Sequence, residues 1–136
     1  KEKHQQPVAD TLRAVPKAFP ALMRSCKIQK RAARVGFDWD TAADTLPKVH
    51  EEADEVLDAL KKGDAPAITE EIGDLLFACV NAARKAGVDP ELALAAATQK
   101  FTNRFIKMEE LILSEGGCLS DMTLEQMDSY WDRIKK

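Results

Sequence analysis

From residue 20 onward, apolar residues recur every three to four positions, and nowhere do they alternate with the period of two that a half-buried strand requires. The pattern predicts a first helix from Pro20, at a first-turn position, to about Arg34, where Gly36 stops it. Leu22, Cys26 and Ala33 mark its apolar side, against Arg24, Lys27, Lys30, Arg31 and Arg34. After the polar-aromatic turn Phe37-Asp38-Trp39-Asp40, a second helix starts near Leu46 or Pro47 and runs to about Leu60. A turn centred on Gly63 leads into a third, from about Ala67 to Ala86. Asp89-Pro90-Glu91 provides an N-cap, a first-turn proline and an acidic first turn for a fourth, ending near Glu115 before Gly116-Gly117. Thr123-Leu124-Glu125-Gln126 fits a capping box and opens a short last helix through Trp131. The expected fold is all-α, a bundle of four to five helices with a central antiparallel hairpin. Residues 1–18, with Pro7 and Pro16 among polar positions, read as an arm or linker, and 19–136 as one domain.

Composition narrows the field a little. The chain has 136 residues, enough to bury a core without disulfides or a structural metal. A net charge of −3 argues against a general nucleic-acid coat. The three cysteines are scattered without a C-x-x-C pair and read as reduced thiols of a cytoplasmic protein. No apolar run approaches the length of a membrane span, so no membrane partner is expected.

Chemistry concentrates in two acidic clusters. Glu51, Glu52 and Glu55 fall on the second helix, and Glu71 and Asp74 on the third. Glu52 and Glu55 are three apart, as are Glu71 and Asp74, so each pair lies on one helical face. The two pairs are also symmetric about Gly63, so folding there sets Glu52 level with Asp74 and Glu55 level with Glu71. The third helix is apolar nearly all round (Ile72, Leu75, Leu76, Phe77, Cys79, Val80) and is expected to be buried, with Glu71, Asp74 and Asn81 as a narrow polar stripe. Carboxylates crowded on part-buried helices repel one another unless a cation offsets them. Oxygen-only ligands suit Mg²⁺, with Mn²⁺ as the alternative. Glu51, beside the ligand pairs but off their face, is a candidate general base. His50 adjoins the cluster, but no Glu-x-x-His motif exists to build a di-iron centre. No P-loop and no Ser/His/Asp set is present. Read without a metal, the same acids are solvated helix faces paired with lysines.

Glu51-Glu52-x-x-Glu55 followed after fifteen residues by Glu71-x-x-Asp74 resembles the signature of the MazG nucleoside triphosphate pyrophosphohydrolases, in the all-α NTP pyrophosphatase group. The resemblance runs from about Leu12 to the C-terminus and includes Arg31-Ala32-Ala33-Arg34-Val35-Gly36-Phe37-Asp38-Trp39. It implies Mg²⁺ on Glu52, Glu55, Glu71 and Asp74, and hydrolysis of nucleoside triphosphates, ribo and deoxy (ATP included), to monophosphate and pyrophosphate. It further implies a nucleotide-pool housecleaning role and homodimers. Longer members carry two tandem domains, and this chain resembles the C-terminal one.

Lys100, Arg104 and Lys107 recur at i, i+4, i+7 and form a basic stripe, which is either a solvated face or a set of phosphate donors. The resemblance assigns Lys100 and Arg104 to the phosphates. Where members often carry a basic residue, this chain has Asn103. Trp131, one turn before Lys135, suits either base stacking or anchorage of the last helix. The resemblance places Trp131 near the nucleobase and lets Lys48 reach the nucleotide. Asn81 either orients a ligand or meets substrate, and Trp39 reads as structural. Two other classes stay open: a catalytically silent nucleotide- or metal-binding regulatory module, and a helical dimerisation domain.

Overall fold

The structure, a computed structural model, describes residues 7–135. These form six α-helices: α1 (Val8–Arg13), α2 (Ala21–Ala33), α3 (Leu46–Lys62), α4 (Ala65–Lys85), α5 (Pro90–Ser114) and α6 (Leu124–Lys135). Short 3-10 turns occupy Ala43–Thr45 and Leu119–Asp121. The expected bundle of four to five helices with a central hairpin is therefore corrected. The count is six, and no β-hairpin or sheet occurs among the described residues. The extra helix is α1, which sits where polar residues and two prolines read as a linker. Pro7 precedes its first turn, an Asp10–Arg13 ion pair of 2.7 Å spans it, and Val15 just beyond it is buried. Arg31 of α2 donates to the Thr11 carbonyl and ties the two helices together. Residues 1–6 of the expected arm lie outside the described residues.

The chain forms two compact units, Lys1–Glu91 and Leu92–Lys136. In the first, α3 and α4 pack along one another, joined only by Gly63 and Asp64. Gly63 closes α3 in the left-handed conformation at φ 68°, a geometry that costs a residue with a Cβ. Asp64 starts α4 by accepting a hydrogen bond from the Ala67 amide through Oδ1 at 3.4 Å. So short a connection turns the chain back on itself, and that reversal brings Glu71 up to Glu52 and Glu55.

α4 also packs on α2, where Gln29 Nε2 donates to the Phe77 carbonyl at 3.0 Å. Ala78 and Val80 of α4 are buried, but Ile72, Leu76 and Phe77 are not, with Leu76 53% exposed. The burial expected of an almost wholly apolar helix is thus met on only part of its circumference. α2, α3 and the 3-10 turn Ala43–Thr45 cover that part and leave an apolar strip open.

In the second unit, Met108 and Ile112 of α5 are buried. The helix ends as Gly117 N–H bonds back to the Ile112 carbonyl at 2.9 Å. The capping box of α6 is reciprocal: Thr123 N–H donates to Gln126 Oε1 at 2.9 Å, and Gln126 N–H to Thr123 Oγ1 at 3.2 Å.

Candidate metal centre

Glu52, Glu55 and Glu71 each place one carboxylate oxygen within 4.8 Å of the others, a cluster of three glutamates able to coordinate a divalent metal. Glu52 is buried and Glu71 half-buried. Asp74, one turn beyond Glu71 on α4, is exposed and stands outside that group of three. Glu51 points to solvent from α3.

The electrostatics of the cluster are those of acids held too close. Hydrogen bonding with Glu71 and the negative charge of Glu52 push the Glu55 carboxyl up to about 7. Lys48, one turn before Glu52, sets its ammonium 3.1 Å from Glu52 Oε1 and 3.4 Å from Glu51 Oε1. Two further oxygens of the cluster, Glu52 Oε2 and Glu71 Oε2, are buried and have no hydrogen-bond partner. A carboxylate oxygen removed from water without a partner costs several kcal/mol in an ordinary core, on the order of 1–3 even after relaxation. Two such oxygens on facing helices beside a third carboxylate fit a hard cation and fit no neutral ligand as well.

Apart from this centre, the first unit holds a cavity of about 490 Å³ lined by Gln29, Phe37, Trp39, Phe77, Asn81 and Arg84, among others. Its rim is fixed by Asp38, which accepts from Arg84 Nη2 at 2.6 Å and from Lys85 Nζ at 3.1 Å. Asn81 Oδ1 accepts from the same Arg84 at 3.0 Å. The hydrogen bond from Arg84 holds the Asp38 carboxyl well below the usual carboxylate range. In the sequence, Phe37-Asp38-Trp39 reads as a polar-aromatic turn within the stretch that carries the family resemblance. A pair 46 residues apart carries no local spacing signal, so nothing in the sequence assigns Arg84 to Asp38.

In the second unit, Lys100 and Asn103 are exposed, Asn103 accepts from Gln99 at 2.8 Å, and Arg104 is half-buried. Trp131 packs against Phe101 with ring centroids 5.4 Å apart, and Phe101 stacks on Phe105 at 6.0 Å. Lys135, one turn further along α6, is exposed.

Among the described residues the fold is all-α, and glutamates from two consecutive helices converge in a nest able to coordinate a divalent metal. Comparison with known proteins narrows this. The model of the MazG nucleotide pyrophosphohydrolase domain matches residues 40–108. A nucleoside triphosphate pyrophosphohydrolase of Escherichia coli is 42% identical over 99% of this chain and 52% of its own length. The nucleoside triphosphate pyrophosphohydrolase/pyrophosphatase MazG of Thermotoga maritima is 45% identical over 85% of this chain and 44% of its own. YabN of Bacillus subtilis, an uncharacterised protein, is 44% identical over 92% of this chain and 26% of its own. The chain belongs to the MazG family of nucleotide pyrophosphohydrolases. It spans about half the length of the Escherichia coli and Thermotoga maritima pyrophosphohydrolases. No helix among the described residues is long and apolar enough to cross a membrane.

Proposed function

We propose that this chain hydrolyses nucleoside triphosphates to a nucleoside monophosphate and pyrophosphate in the presence of Mg²⁺, with residues 19–136 as the working domain. The observation that carries the reading is the pair of unpartnered buried oxygens of Glu52 and Glu71 within a cluster of three glutamates. Glu52, Glu55 and Glu71 would hold the cation, with Asp74 as the fourth ligand by its place one turn from Glu71. When bound, the ion neutralises triphosphate charge and lowers the pKa of water.

The chain's own residues supply the rest. Glu51, exposed and next to the cluster, accepts the proton of the attacking water. Lys48, now on Glu52 and Glu51, has the reach and charge to move to a phosphate. Lys100 and Arg104 donate to the phosphates, Asn103 and Lys135 add polar contacts to the nucleotide, and Trp131 stacks on the base. Stacking accepts any base, which supports broad nucleotide tolerance and a part in clearing unwanted nucleotides. The open apolar strip of α4 supports self-association as a homodimer.

The test is incubation with a panel of NTPs and dNTPs and Mg²⁺, with products resolved by ion-exchange chromatography. Monophosphate and pyrophosphate are expected. Diphosphate and orthophosphate would refute the reaction, and tight nucleotide binding without turnover would favour a silent regulatory module.

A further inference from the structure

We infer that Glu115 is a positioning residue for Trp131, fixing the rotation of α6 through Tyr130 and Arg133 so that the indole presents a set face to a nucleobase. The inference rests on the proposed role of Trp131 and deepens it.

No residue of α6 is fully buried; Met127, Tyr130, Trp131 and Ile134 are half-buried along one side. Trp131 leans on Phe101 at 5.4 Å, itself stacked on Phe105. Contacts that are nowhere fully buried leave a helix some freedom to roll. A second attachment removes that freedom. Glu115, just past the last turn of α5, accepts from Tyr130 OH at 3.0 Å through Oε1 and from Arg133 Nη2 at 2.9 Å through Oε2. Tyr130 and Arg133 are three apart and share one face of α6, with the guanidinium 5.1 Å from the Tyr130 ring centroid. Trp131 lies one residue on, about 100° round the helix, so the two attachments grip different sides of α6.

Both oxygens of a single carboxylate are thus used, each on a residue flanking the tryptophan. The hydrogen bonds from Arg133 and Tyr130 keep the Glu115 carboxyl below its ordinary range. The ion pair is half exposed, with side-chain exposures of 53% and 41%, so its contribution to overall stability is small. Its effect falls on orientation instead.

The experiment uses the chain with Trp39→Phe, which leaves Trp131 as the only tryptophan. Steady-state fluorescence anisotropy of the ligand-free protein reports indole mobility, and titration with a non-hydrolysable NTP analogue reports affinity. Glu115→Leu is expected to lower the anisotropy and weaken analogue binding by roughly three- to fivefold, raising KM with kcat held. Glu115→Gln keeps one acceptor oxygen for Arg133 and turns an N–H toward the Tyr130 hydroxyl, which can accept it, and is expected to restore part of both. All readings are taken far below the melting temperature, so a merely structural loss would leave anisotropy native. Native anisotropy in Glu115→Leu overturns the positioning role, as does lowered anisotropy with unchanged affinity while Trp131→Ala binds weakly. If Trp131→Ala itself binds the analogue as well as the parent, the base-stacking reading fails, independently of what Glu115 does to the helix.

Discussion

Lys48 Nζ lies 3.1 Å from Glu52 Oε1, so the most buried carboxylate of the cluster already carries a cation supplied by its own helix. One ammonium offsets one charge and leaves Glu52 Oε2 and Glu71 Oε2 without partners. The cluster is therefore partly compensated in the free protein, which lets α3 and α4 close while leaving the remaining repulsion for a second cation to relieve.

Mg²⁺ is expected to raise the melting temperature, because it binds only the folded arrangement of these acids. At a hundredfold excess over its dissociation constant the gain is about 2.7 kcal/mol. The pH dependence has a definite sign. With the Glu55 carboxyl raised to about 7 from 4.5, the folded state holds a proton that the unfolded state has lost. The metal-free protein should lose stability as pH rises between those values, and the Mg²⁺ effect should be larger at pH 8 than at pH 5.5. Calorimetric melts at both pH values, with and without metal, check this. Equal shifts at the two would count against a carboxylate site.

Glu52→Gln and Asp74→Asn keep volume and remove charge. Each should depress turnover by two orders of magnitude or more, on the order of 3 kcal/mol of transition-state stabilisation, while the far-UV circular dichroism stays helical. Asp74 is the sharper case, since it stands outside the group of three glutamates. Near-native kcat in Asp74→Asn would leave a three-ligand centre. Arg104→Ala should mainly raise KM.

The Asp38–Arg84 pair gives an acid limb that does not depend on the metal. The folded-state pKa of Asp38 is depressed, so the pair stabilises fully above its ordinary value of 3.8 and the contribution is lost as pH falls below it. Asp38→Asn should cost ~2 kcal/mol at neutral pH, as for hydrogen bonds between charged groups. Its stability should also fall less steeply than that of the parent between pH 5 and pH 2. Urea titrations across that range measure both, and parallel profiles would show that the pair contributes nothing.

Leu76→Lys places a charge on the open apolar strip of α4, where the parent residue is half exposed. If that strip joins two copies, the variant should be monomeric by light scattering at concentrations where the parent is dimeric. A monomeric parent removes the dimer without touching the metal centre.

How much of this was readable beforehand differs from place to place. Gly63 and the three-residue spacings were enough to bring Glu55 and Glu71 together on paper, because helical periodicity and a tight turn act over short stretches of chain. The same construction sets Asp74 level with Glu52, and the structure gathers Glu71 with both Glu52 and Glu55 in a group of three that does not include Asp74. α1 was missed because its helical residues number only six and its stability comes from contact with α2, not from pattern. Asp38 with Arg84 and Glu115 with Tyr130 and Arg133 were invisible for one shared reason. Each joins side chains across a sequence gap whose closure depends on the fold, and composition says nothing about that.

The two-residue connection at Gly63 and Asp64 makes the metal centre sensitive to chain length at a point far from its chemistry. One residue added there would advance every later position of α4 by about 1.5 Å and turn it by about 100°. Glu71 would then swing off the α3-facing side, with Glu70 moving into its place and Gly73 into that of Asp74. An insertion of a whole helical turn, three or four residues, restores the facing and merely slides Glu71 along α3. The permitted lengths between Glu55 and Glu71 should therefore come in steps, so the spacing of the motif records helix pitch as much as it records ligand identity.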